Sequence, residues 1–279
     1  MASSVFNPIG TTALVTGASS GLGHAYAHRL AQRGADLVLV ARRLERLEAL
    51  AADLAEKYGT MSTVIPADLS QPDAVDTLVT ELREREVGVG TLVNNAGFAT
   101  WGTFADLEPA RELEEIAVNV QALTALTRAF LPGLMRQALS DPGSAALVNI
   151  ASVAAFTPMP HMAVYAATKA YVSSFTEALW HETRRTGLKV LAVCPGPVHT
   201  EFGMVARNEG LSPGGGLLTV DRVMNDTFAA LDRATTPPRV VTGPESRLAA
   251  GLSTVFPRRL TAAAVGRFTS PARHPNAGR

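Results

Sequence analysis

Two side chains four positions apart offer the first chemistry in this sequence. Tyr165 and Lys169 stand in the stretch Tyr165-Ala-Ala-Thr-Lys169, and on a helix positions i and i+4 share a face. Of the 25 basic residues only Lys57, Lys169 and Lys189 are lysines, the rest being arginine, so a lysine in a meaningful place stands out. The plain alternative is a surface pair on a helix, but Ala163, Ala166, Ala167 and Ala170 nearby are small, as close packing or close ligand approach requires. A free tyrosine ionises near pH ~10, so proton transfer near neutrality needs its pKa to fall by about three pH units, or ~4 kcal/mol. One cation at ~4 Å supplies on the order of 4 kcal/mol at an effective dielectric near 20. Lys169 is therefore expected to supply most of that shift, less the cost of its own desolvation, and to make Tyr165 a general acid or base.

A second signal is Thr16-Gly17-Ala18-Ser19-Ser20-Gly21-Leu22-Gly23, set between an apolar run and a helical stretch. Glycine lets the backbone turn tightly and lets a pyrophosphate approach, while the following helix N-terminus offers free N–H groups and a positive dipole end. The spacing is GxxxGxG rather than GxGxxG, and it lacks the Gly-Lys-Ser/Thr ending of a P-loop. Read alone, it is a weak signal, with a tight strand–helix turn as the alternative.

The elements that would position these residues alternate. Apolar runs at Thr11–Thr16, Asp36–Ala41, Ser62–Ile65, Thr91–Asn94, Ala145–Ile150 and Lys189–Val193 read as six strands, with Arg239–Thr242 a candidate seventh. Helices are expected from Gly21 to about Arg33, Arg43 to Tyr58, Glu108 to Ala138 with a kink or break at Pro132, and His161 to Arg185; another begins near Pro72. Continuous apolar strands each followed by a helix predict a doubly wound parallel sheet covered on both faces, with its ligand crevice beyond the carboxyl ends of the strands. The chemically unusual residues do follow strands: Gly17–Gly23, Arg42, Asp68, Asn94–Gly97, Ser152 and Pro195–Thr200.

Composition removes other classes. With 25 acidic against 25 basic residues the formal charge is zero, which argues against a broad electrostatic grip on nucleic acid. The single cysteine, Cys194, excludes an intrachain disulfide scaffold and reads as inert core. No run approaches the ~18 apolar residues of a membrane span, and Met1–Ile9 does not resemble a signal peptide, so a cytoplasmic location is expected. His24 and His28 share a helix face without a third ligand, so no metal is expected. His161 reads as a capping or pocket-rim residue.

The set TGxxxGxG (Thr16–Gly23), NNAG (Asn94–Gly97), Asn119, Ser152, YxxxK (Tyr165, Lys169) and PGxVxT (Pro195–Thr200) resembles the short-chain dehydrogenase/reductase family over about residues 10–245. The resemblance implies a single-domain Rossmann fold with seven parallel strands, usually a homodimer or homotetramer, binding NAD or NADP. It implies that Gly17, Ser19, Ser20, Gly21 and Leu22 line the cofactor phosphates and adenosine, and that Asp68 and Leu69 contact adenine. Asn94, Ala96 and Gly97 would form the wall beside the cofactor, and Pro195, Gly196, Val198 and Thr200 would hold the nicotinamide carboxamide. It makes Tyr165 the acid/base on the substrate oxygen, Lys169 its partner and a ribose ligand, Ser152 the holder of the carbonyl, and Asn119 the keeper of a proton-supplying water chain. On the residues alone, Asn119 could instead satisfy backbone at a helix bend and Ser152 could be a cap.

NAD sites place an acid after the second strand and NADP sites an arginine. Here that strand ends Val40-Ala41-Arg42-Arg43, and guanidinium forks suit a 2′-phosphate. NADP(H) is expected over NAD(H), with Arg42 the main contact and Arg43 stacking on adenine; the alternative for Arg43 is a solvated helix face with Glu45 and Arg46. Val153–Pro160, with Phe202, Met204 and Val205 of a flap spanning about residues 199–220, suggests a largely apolar pocket. The expected activity is NADP(H)-dependent hydride transfer to a small hydrophobic ketone or aldehyde. Alternatives are an NAD-linked alcohol or hydroxysteroid-type dehydrogenase, or a dinucleotide-binding regulatory protein. Residues 1–9 read as an N-terminal extension, 10–245 as the catalytic domain and 246–279 as a helical extension with a polar tail.

Overall fold

A computed structural model describes residues 5–202 and 217–270; the expected flap residues Met204 and Val205 and the tail beyond Ser270 lie outside them. Seven strands form one sheet: β1 (Thr12–Thr16), β2 (Asp36–Ala41), β3 (Ser62–Pro66), β4 (Val89–Asn94), β5 (Ala146–Ile150), β6 (Lys189–Cys194) and β7 (Arg239–Val241). Their order is β3-β2-β1-β4-β5-β6-β7, and every pairing is parallel. The helices are α1 (Gly21–Gln32), α2 (Leu44–Tyr58), α3 (Ala74–Glu84), α4 (Pro109–Ile116), α5 (Leu123–Ser140), α6 (Ala163–Thr183), α7 (Val220–Leu231), α8 (Pro244–Val255) and α9 (Arg258–Thr269).

Both faces of the sheet are buried, and the period-two geometry of a strand divides its apolar residues between them. Ala13, Val15, Leu37, Leu39, Val148 and Leu191 pack with Tyr26 and Leu30 of α1, Leu47 and Leu54 of α2 and Phe228 of α7. Leu14, Val38, Val40, Leu92, Leu147 and Val190 pack with Leu78 and Leu82 of α3, Leu126 and Leu134 of α5 and Leu179 of α6. Strand order reverses at β1, whose neighbours are β2 on one side and β4 on the other, and the adjacent βα loops splay apart at their carboxyl ends. The doubly wound sheet expected from the strand–helix alternation is the observed one, and β7 is its edge.

Two details differ from expectation. Proline does not break the long helical region, because α5 runs through Pro132. Pro132 and Arg128 both lie on the exposed side, so the carbonyl that proline leaves without a partner can take water. The irregularity instead is a π-helical turn, Ala117–Ala122, which holds Asn119. The other difference is His161, which precedes α6 rather than opening it, in the left-handed region at φ +64°, with its carbonyl accepting from Gly102 N at 2.9 Å. Among the described residues no helix is long and apolar enough to cross a membrane.

Candidate active site

A cleft of about 1230 Å³ opens at the carboxyl edge of the sheet, larger than the roughly 300–1,000 Å³ of a typical small-molecule site. Every expected site residue lines it except Asn94 and Asn119.

The loop from β1 to α1 is shaped by what cannot fit there. Gly17 has φ +65°, and a Cβ on it would meet Asn95 Nδ2 at 2.8 Å; one on Gly23 would meet the Gly17 carbonyl oxygen at 2.2 Å. Thr16 and Asn95 then tie this loop to the one leaving β4. Asn95 N and Ala96 N donate to Thr16 Oγ1 at 3.0 and 2.9 Å, and Asn95 Nδ2 donates to Thr16 O at 2.9 Å. The N-terminus of α1 has no side-chain cap and no acidic residue in its first turn. Its N–H groups are therefore available to an anion in the cleft, which fits a dinucleotide's phosphates.

Asn94 does not form the cleft wall with its side chain. Strand alternation turns it inward, where Nδ2 donates to Thr127 Oγ1 at 3.0 Å and Asn149 Oδ1 at 2.9 Å, and Asn149 Nδ2 donates to Thr176 Oγ1 at 2.9 Å. It joins β4 and β5 to α5 and α6, and the neighbouring Asn95 lines the cleft instead. Asn95 lay in the quoted NNAG stretch; period-two alternation was the signal that separates the two asparagines.

At the cleft floor Tyr165 and Lys169 are buried. Ser152 lies beside Tyr165 and favours its ionised form. Ser152 Oγ accepts from Ala154 N at 3.2 Å and donates to Pro195 O at 3.5 Å, so its capping and site-facing readings coexist. Lys169 Nζ donates to Ile150 O at 2.8 Å and lies 5.7 Å from the Tyr165 ring centroid. The expectation that Lys169 lowers Tyr165 is corrected here. Burial dominates and pushes the phenol up to about 12, with Ser152 pulling down and Glu115 pushing further up. Burial also brings Lys169 down to about 8, opposed by Glu115. The sequence argument counted the cation's attraction and the drying of Lys169, but not the drying of the phenol, which disfavours its charged form.

Asn119 clamps the Phe98 backbone: Oδ1 accepts from Phe98 N at 3.1 Å, and Nδ2 donates to Phe98 O at 2.9 Å and Thr168 Oγ1 at 3.1 Å. A Cβ on Gly97 would fall 2.8 Å from Asn119 Oδ1 and 3.4 Å from Lys169 Nζ, so glycine leaves the two groups facing one small space.

Beyond β2 the two arginines differ. Arg43 donates to Ser19 Oγ and Ser20 Oγ, each at 3.0 Å from Nη2, and pairs with Glu201 at 3.1 Å. Arg46 joins Glu201 from the other side at 2.8 Å. Arg42 lines the cleft beside Asp68. Burial works against the Asp68 carboxylate, but bonds from Ser70 N and Oγ, with Arg42 nearby, hold it below its ordinary range.

Sequence reasoning missed the far rim. Ala249 and Ala250 of α8 and Val265 and Phe268 of α9 line the cleft. Trp101 Nε1 donates to Thr269 O at 2.9 Å, and Thr269 Oγ1 donates to Pro160 O at 2.8 Å, pinning α9 in place. No local pattern announced these contacts, which join segments far apart in the chain. Among the described residues no group of three or more His, Cys, Asp or Glu side chains is arranged to hold a metal ion.

If Asn94 is a tie between layers, Asn94→Ala should lose ~2–4 kcal/mol of unfolding free energy, because it leaves buried partners unsatisfied. Urea denaturation measures this; a change below about 0.5 kcal/mol would remove the structural role.

The family model for short chain dehydrogenase matches residues 11–210. A sulfoacetaldehyde reductase of Chromohalobacter salexigens is 38% identical over 234 residues, covering 81% of this chain and 88% of that protein. A short-chain dehydrogenase from Sphingobium yanoikuyae, solved in complex with NADPH, superposes with a TM-score of 0.76 at 36% identity, covering 88% of this chain and 91% of that one. A bulky-bulky ketone specific alcohol dehydrogenase from Comamonas testosteroni gives a TM-score of 0.70 at 30% identity, covering 89% and 95%. With its parallel sheet, its glycine-turned loop and a cleft at the strands' carboxyl edge, the chain belongs to the short-chain dehydrogenase family and is an oxidoreductase.

Proposed function

We propose that the protein uses NADP(H) to interconvert a hydrophobic ketone or aldehyde and its alcohol, working chiefly as a reductase. The observation that carries the reading is the convergence of Tyr165, Ser152 and Lys169 at the cleft floor. A bound nicotinamide would supply or receive the hydride. Tyr165 holds its proton across the neutral range and would give it to a carbonyl oxygen as negative charge develops there. Ser152, beside Tyr165, would hold that oxygen near the phenol. Lys169, fixed by Ile150 O, would stabilise the phenolate left behind and bond the cofactor ribose. Asn119 holds the backbone wall and faces Lys169 across the space at Gly97.

Three guanidiniums, Arg42, Arg43 and Arg46, follow β2, which supports a 2′-phosphate over a bare ribose. The NADPH bound by the Sphingobium relative agrees with this. Of the two residues first considered, Arg43 has the more direct link to the glycine loop through Ser19 and Ser20. For the substrate, Met159, Met162 and Phe202 cluster with Tyr165, and Phe202 stands 5.5 Å from its ring. Arg111 lines the cleft but is paired with Glu114 at 2.8 Å and stacked 3.9 Å over Phe98. Among the described residues the lining beside Tyr165 is this apolar cluster, which favours a hydrophobic carbonyl. The same reading places residues 10–245 in one catalytic domain and pairs copies of the chain through α5 and α6.

Tyr165→Phe should lower kcat for ketone reduction ~10²–10⁴-fold and leave NADPH affinity, read by fluorescence titration, unchanged. Retained turnover would remove Tyr165 as the general acid. Arg42→Asp should weaken NADPH by ~10–100-fold and move the preference toward NADH; an unchanged NADPH/NADH ratio removes Arg42 from the 2′-phosphate site. Glu201→Gln, which frees Arg43 and Arg46, should tighten NADPH ~2–5-fold, the scale of an exposed ion pair, with little effect on NADH. Equal effects on both cofactors would place the 2′-phosphate elsewhere.

A further inference from the structure

One buried ionisable cluster has no part in the chemistry above. Thr100, in the loop leaving β4, directs its hydroxyl at two carboxylates of α4, Glu112 Oε1 and Glu115 Oε2, the latter at 2.6 Å. Its backbone N–H also donates to Glu115 Oε2, at 2.8 Å. Glu115 is wholly buried and Glu112 only 6% exposed. The second Glu115 oxygen, Oε1, is buried without a hydrogen-bond partner.

The geometry counts the protons. A threonine hydroxyl has one hydrogen and can donate to one carboxylate. Its contact with the second carboxylate is attractive if that group carries a proton and donates back. Two ionised carboxylates in one dry site are disfavoured for the same reason. The pair therefore holds one proton and one negative charge.

That charge sits one helical turn before Asn119, against α6. Helix α4 packs on α6, where the Glu115 charge acts on Lys169 and Tyr165. On its own helix Arg111 and Glu114 are occupied with each other toward the cleft mouth. The loops packed here add Thr100 and His161, the latter joined to Gly102 through its carbonyl. Lys169 has no carboxylate within ion-pair distance among the described residues, and Ile150 O is its hydrogen-bond acceptor.

We propose that Glu112 and Glu115 share one proton and that the charge they retain is the buried counter-charge holding Lys169 in its ammonium form, which makes Glu115 a positioning residue for the Tyr165–Lys169 pair. The proposal rests on the roles given above to Tyr165 and Lys169. The titration directions agree with the geometry: burial pushes Glu115 up to about 7, the Thr100 bonds pull it down, Glu112 raises it and Lys169 lowers it. Because the folded pair keeps its proton above the ordinary value of 4.5, its contribution to stability is full at low pH and is lost as pH rises through about 7.

Two measurements test this. The first does not depend on turnover: infrared spectroscopy of the folded protein at about pH 6, below the loss of the shared proton, should show a buried carboxylic-acid band that disappears in either Glu115→Gln or Glu112→Gln, since each single variant leaves one carboxylate that keeps its charge. Absence of the band in the parent protein overturns the shared proton. The second is the pH profile of kcat/KM for ketone reduction. Single variants, which keep one negative charge, should move the basic limb lower by less than Glu112→Gln/Glu115→Gln, which should move it about one pH unit. An unmoved limb in a folded double variant overturns the counter-charge role. Should the double variant not fold, urea denaturation of Glu115→Gln decides: between about pH 5 and pH 8 the parent should lose stability and the variant should lose less, and parallel slopes overturn the proposal. Activity retained in Tyr165→Phe would reject the catalytic reading alone, because the infrared result stands without it.

Discussion

The cleft depends on the hydrogen bonds by which Thr16 and Asn95 join the ends of β1 and β4. Those strands lie where the sheet changes direction, so their loops leave to opposite sides and would otherwise part. With Asn95 Nδ2 against the Gly17 backbone there is no space for a Cβ at Gly17 or Gly23, and α1 starts close to the sheet edge. Its uncapped N-terminus then faces the cleft as a fixed positive pole. The anion-facing end of the site is thus built from backbone, which responds little to substitution outside these few contacts.

The other end is built by drying. Parallel strands buried on both faces leave little water near the floor, so each polar group there needs a protein partner. Asn94, Asn149, Thr127 and Thr176 satisfy one another between layers, Asn119 satisfies Phe98 and Lys169 is held by Ile150 O. The π-helical turn widens the helix where Asn119 reaches inward, and functional sites often carry such turns. The same dryness raises Tyr165 and lowers Lys169, and Glu115 nearby acts on both.

The rim is looser and more polar. Glu201 bridges Arg43 and Arg46 across the cleft mouth through exposed ion pairs, which contribute little to stability and are readily exchanged for a ligand anion. Opposite, α9 is held by the Trp101 and Thr269 bonds, and Phe268 extends the apolar lining.

The sequence by itself determined what is periodic or local. Apolar runs such as Leu37–Val40 specified two-faced burial and hence a parallel sheet. The glycines specified the β1–α1 turn, and i, i+4 spacing put Tyr165 and Lys169 on one helix face. Only the tertiary structure decided what meets across elements. It turned Asn94 inward and Asn95 into the cleft, carried Pro132 through a helix, brought Glu112 and Glu115 to Thr100, and laid α8 and α9 along the rim. It also reversed the expected direction for Tyr165. The physical reason is that backbone preference and hydrophobic period act over a few residues, whereas burial, desolvation and charge pairing depend on neighbours that the folded chain alone brings together.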